Sequence, residues 1–117
     1  MIKSLEDLER IWNQKHHPHI SQLLEELAQN NDRKRPALDN FIRFISKIFK
    51  FYANILNETL PGLNNVIPVE RIVSTLKLHP SKQRITTLDD DQCVQIIHKC
   101  VIYIADLSRY RTHAAKT

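Results

Sequence analysis

The chain has 117 residues, the length of a single domain, of which 42% are hydrophobic and 26% charged. That balance excludes intrinsic disorder, and a lone glycine argues against β-rich architectures and glycine-loop nucleotide sites, so an all-α domain is expected over residues 1–117. A formal charge of +4 favours an anionic partner without choosing among nucleic acid, a phosphorylated protein and an acidic peptide. No apolar run approaches the ~20 residues that cross a bilayer, and the N-terminal residues lack a signal-peptide core, so a soluble, intracellular protein with no membrane partner is expected.

Leu5, Leu8 and Trp12 form a first helical stripe, which resumes with Ile20, Leu23, Leu24 and Leu27. Between them Pro18 lacks an N–H and clashes with the carbonyl four residues earlier, which predicts a break or kink where His16, His17 and His19 meet solvent. Asn30 to Pro36 reads as a polar loop carrying Arg33, Lys34 and Arg35, with Pro36 at the start of the next helix. From Leu38 to Leu56 apolar residues recur every three or four positions, and Pro61-Gly62 ends the pattern.

Residues 61–89 are expected to be a long, partly mobile, irregular connection, with a short helix starting at Pro68. Asp89, Asp90 and Asp91 then place acid where a helix dipole favours it, so a last, central helix should run from about Asp90 to about His113. Cys93 and Cys100, two turns apart on its apolar arc, read as reduced core residues.

Three histidines within four residues suggest a metal, but zinc sites need four ligands and nothing nearby completes the set, so no metal and no cofactor are expected. Neither cysteine has an activating neighbour, and no acid–base or nucleophile set can be assembled, which points away from an enzyme. Near the end of the last helix, Asp106 lies one turn before Arg109 and can orient its guanidinium for an oxyanion, with the Tyr110 hydroxyl beside it. Such pairs also occur on helices merely as solvated charge.

Leu8-x-x-x-Trp12, Phe49-x-x-Tyr52 and above all the run His98-Lys99-Cys100-Val101-Ile102-Tyr103-Ile104-Ala105-Asp106-Leu107-Ser108-Arg109-Tyr110-Arg111 carry a resemblance. They look like the N-terminal 14-3-3-like, tetratricopeptide-containing domain of the telomerase Est and SMG nonsense-mediated-decay proteins, whose signature reads roughly H-x-C-L-I-x-L-G-D-L-x-R-Y-R. The resemblance implies an antiparallel all-helical array with a concave phosphopeptide groove, in which Arg109 is the primary phosphate ligand and Tyr110 its neighbour. Ala105 stands where the family has glycine, which raises helix propensity. The family's lysine, five residues after the tryptophan, falls on His17, with Lys15 and His16 as alternatives. Histidine is only partly charged at neutral pH, so a second cation at His17 would make phosphate affinity fall above pH ~6.5, a window that bound phosphate shifts upward.

By the same resemblance, the chain is an adaptor for phosphoserine or phosphothreonine peptides in the nucleus or cytoplasm. Its partners would be a phosphorylated RNA helicase of the decay pathway, or telomerase and telomere-bound proteins. Family members carry further helices, so a fragment or reduced domain is expected, with self-association through an uncovered face. A rival reading is direct binding of RNA or single-stranded DNA through Arg33, Lys34, Arg35, Lys99, Arg109 and Arg111, with Trp12, Tyr103 or Tyr110 stacking on bases. A third is a structural scaffold in which Arg109 pairs only with Asp106.

Overall fold

A computed structural model describes residues 2–29, 34–84 and 86–116. Among these residues every regular element is helical. The first rod is continuous from α1 (Leu5–Ile11) through a π-helical turn (Trp12–His16) into α2 (His17–Gln29). After it come α3 (Lys34–Thr59), the short α4 (Val69–Leu76) and α5 (Asp90–Lys116). The all-α expectation therefore holds.

Where a break or kink is expected at Pro18, the rod continues through the π turn, in which the His17 N–H donates to the Trp12 carbonyl five residues back. Widening the helix just before the proline relieves its clash with the Gln14 carbonyl and keeps the rod intact. The turn also corrects register. Leu8, Trp12, His16 and Ile20 recur every four residues and are all buried, whereas four residues of α-helix overshoot a full turn by ~40°. Residues added to one turn bring the stripe back to one face.

Caps match side chains already visible in the sequence. Ser4 Oγ accepts from the Asp7 N–H at 3.1 Å. Asp89 and Gln92 form a reciprocal box: the Gln92 N–H donates to Asp89 Oδ1 at 2.8 Å and the Asp89 N–H to Gln92 Oε1 at 3.2 Å. The expected loop is shorter than its composition suggested, because α3 already includes Lys34 and Arg35. Pro36 sits within the first turn, where no N–H is needed. Helix α5 runs three residues past His113, to Lys116.

Between α3 and α5 the described residues follow an irregular path that holds one short helix, α4. Gly62 adopts φ 86°, a left-handed conformation that suits glycine and turns the chain out of α3. Arg84 clamps that corner to α5, its Nε donating to the Pro61 carbonyl at 3.2 Å and its Nη1 meeting Asp90 Oδ1 at 2.6 Å. Pro68 precedes α4 as its N-cap instead of forming its first residue.

Packing follows from which rings meet. Trp12 touches Tyr52, His19 touches Phe44, and Tyr52 touches Tyr103, so α3 runs antiparallel to the first rod and to α5. Trp12 stacks on Tyr103, and His17 lies near Tyr110 further along both helices, so the first rod and α5 run parallel. The centre is an aromatic trio: the Trp12 and Tyr103 rings are 4.4 Å apart and 11° from coplanar, with Tyr52 edge-on to Trp12 at 5.8 Å. Around it Leu8, Ile20, Phe41, Leu56, Ile96 and Leu107 are fully or almost fully buried. The whole measures 51 × 27 × 17 Å.

Candidate functional site

Parallel packing of the first rod against α5 opens a cleft of about 530 Å3 between them, lined by Leu24 of α2 and by Asp106, Arg109, Tyr110 and His113 of α5. Arg109 and His113 are one turn apart, so both project on this side of α5. Arg109 Nη2 pairs with Asp106 Oδ1, as the spacing predicts. The Arg109 side chain remains 77% exposed, whereas that of Asp106 is 21% exposed. The carboxylate is therefore a partly sheltered anchor, and the guanidinium fork presents further N–H donors to solvent.

Tyr110 is half-buried against the core, and the His17 ring lies 6.3 Å from it and 5.9 Å from Trp12. Arg109, Asp106 and Tyr110 thus line one cleft, and His17 lies beside Tyr110 without lining it. Lys15 does not join them: two residues along a helix turn to nearly opposite sides, and since His17 faces Tyr110, Lys15 is directed away. His113 and Leu24 are lining residues that sequence reasoning missed. The signals were a cation four residues after Arg109, and the seven-residue step from His17 to Leu24, which returns to one face. Beside the cleft a second surface carries Ser108, Arg109, Thr112, His113 and Lys116, extending the basic character to the end of α5.

The histidine triplet separates by function. His16, expected at a solvated junction, is buried, with Nδ1 2.8 Å from the Tyr52 hydroxyl. Burial, reinforced by the nearby charges of Lys15 and His19, lowers its pKa to about 4, so the ring is neutral. His17 turns to Tyr110, and His19 lies 4.2 Å from Phe44. The three rings therefore point to three different neighbours. No group of His, Cys, Asp or Glu among the described residues is placed to hold a metal ion.

Cys93 and Cys100 are buried as expected, and burial pushes their thiols up, that of Cys100 to about 12, which keeps them protonated and unreactive. Two proposed base-stacking rings are committed elsewhere: Trp12 and Tyr103 are buried against each other, while Tyr110 is half-buried. Of the proposed backbone contacts, Arg33 lies outside the described residues, Lys34 and Arg35 form the first turn of α3, and Arg111 is exposed on α5. Arg111 is two residues from Arg109 and so on the far side of that helix. Lys99 is 3.8 Å from Glu9.

No helix among the described residues is long and apolar enough to cross a membrane. Neither the curated proteins nor the solved structures compared with the chain yield a match. A family model described as telomerase activating protein Est1 matches residues 7–115, from the first turn of α1 to the last turn of α5. With nearly its whole length matched, the chain belongs to the Est1 family.

Proposed function

We propose that this Est1-family domain is a non-catalytic adaptor that binds phosphoserine or phosphothreonine peptides in the cleft between the first rod and α5. The reading rests on one observation above all: an exposed arginine held by a sheltered carboxylate, with a tyrosine and a second basic side chain lining the same cleft. Arg109 is the bidentate phosphate ligand, Asp106 orients it, the Tyr110 hydroxyl donates a hydrogen bond, and His113 and His17 supply further donors. Leu24 offers an apolar contact for a side chain flanking the phosphoresidue. The family membership supports a role in telomerase activation or a related process, and the resemblance extends the partner classes to phosphorylated proteins of telomerase or RNA decay.

Calorimetry against matched phosphorylated and unphosphorylated serine peptides tests the proposal. Binding that requires the phosphate, and that falls by roughly tenfold or more in Arg109→Glu, is expected, because reversing the charge replaces the main anion ligand with a repulsive group. A folded protein with no preference for the phosphorylated peptide would remove the phosphate-binding role of Arg109.

A further inference from the structure

The opposite side of α5 carries a second, chemically different groove. It lies between α3 and α5, holds about 350 Å3, and has Phe49 and Leu107 at its base, Ser46 and Ser108 on its facing walls, and Lys50 and Arg111 at its rim. Phe49 is the accessible apolar contributor, since Leu107 is fully buried. Helical spacing extends the rim: Arg43, Lys47 and Lys50 stand at i, i+4 and i+7, a stripe of exposed cations spanning ~10 Å along α3.

Asp39, four residues before Arg43, stands at one end of this stripe, and beyond it the walls carry no carboxylate. From Asn40 to Asn57 on α3, and from Leu107 to Lys116 on α5, neither wall contains an aspartate or glutamate. Asp106, the nearest acid on α5, is engaged with Arg109 on the other side. Lys50 and Arg111 at the rim of an apolar floor, with Lys47 one turn away and no ion pair to any of the three among the described residues, define their complement: an anionic chain that also carries an apolar side chain.

We propose that the α3–α5 groove docks an acidic peptide segment of a partner protein, a large apolar side chain resting on Phe49 while flanking carboxylates meet Lys50 and Arg111. The Arg43–Lys47–Lys50 stripe sets its direction by attracting further acidic residues along α3. Ser46 and Ser108 hydrogen-bond its backbone across the groove. A peptide fits better than a nucleic acid because the groove's aromatic ring, Phe49, is half-buried between two helices and not a fully open surface on which a base can stack. Arg109 and Arg111, separated by a single residue, thereby serve two ligands on opposite faces of one helix.

Titration of the isotopically labelled protein with a short unphosphorylated peptide of glutamates around one phenylalanine, followed by amide chemical shifts, tests the docking. Shifts centred on residues 46–50 and 107–111 are expected. Lys50→Glu and Arg111→Glu, both at exposed positions, should each weaken binding by roughly tenfold while the circular dichroism spectrum is retained, and Arg109→Glu should leave it within about twofold. Replacing the phenylalanine of the peptide by alanine should weaken binding comparably. The proposal is overturned if the peptide does not bind, if Arg109→Glu weakens it as much as Arg111→Glu, or if the alanine peptide binds equally well. It is also overturned if a single-stranded RNA of the same charge displaces the peptide and shifts the same amides with higher affinity.

Discussion

His16 is a buried imidazole whose only side-chain hydrogen-bond partner among the described residues is the Tyr52 hydroxyl. Burial also raises the Tyr52 pKa, so the phenol stays protonated and shares one neutral hydrogen bond with Nδ1. Because the folded pKa of His16, about 4, lies below the ordinary 6.5, the unfolded chain binds the extra proton more readily. His16 thus favours the fold fully above pH 6.5, and stability should fall as pH drops toward 4, by on the order of 2–3 kcal/mol from this group. Urea unfolding of wild type and His16→Gln across pH 4–7 checks this: the variant should lose most of the acid dependence, and an unchanged slope would place its origin elsewhere. Sequence alone shows a His-rich segment but not this role, because the ring is kept neutral by burial in the tertiary fold, where its partner is a tyrosine 36 residues away. The Asp106–Arg109 pair was legible, since both partners lie within one turn and need no tertiary information.

Among the elements, α3 and α5 follow directly from three- and four-residue apolar spacing, and the Asp89–Gln92 box fixes where α5 begins. Removing that cap by Asp89→Ala should cost about 1 kcal/mol in thermal or urea unfolding, with little effect on either proposed binding face. A loss far smaller would mean that the Arg84 clamp alone secures this end of α5. The first rod was read less completely. Proline signals an interruption, but only the burial of Leu8, Trp12, His16 and Ile20 at strict four-residue steps reveals that the helix widens instead of breaking. If this spacing holds the π turn in place, Pro18→Ala should keep His16 buried and retain the acid-sensitive unfolding profile; loss of that profile would make the proline its cause.

Across the molecule, the side-by-side order of the rods was the part the sequence could not supply. Amphipathic stripes say that helices pack, while direction and neighbour choice emerge only when Trp12, Tyr52 and Tyr103 are seen to share one centre. That order places the phosphate cleft on one side of α5 and the cationic groove on the other. Binding of a phosphopeptide and of the acidic probe peptide should therefore be simultaneous: saturating one site should change affinity for the other by less than about threefold, measured by calorimetry in both orders. Strong mutual exclusion would show that the two ligands share one surface.

The stacked pair at the centre also dictates when a newly made chain can settle. Trp12 can meet Tyr52 once α3 is made, but it waits for its stacking partner Tyr103, which is synthesised 91 residues after it. The first rod and α3 can pack together in the meantime, but the part of their apolar stripes that α5 covers stays open until it arrives. Since Trp12 is the sole tryptophan, its emission is a natural clock for that final closure, and the interval before it is when the emerging chain most needs protection from its neighbours.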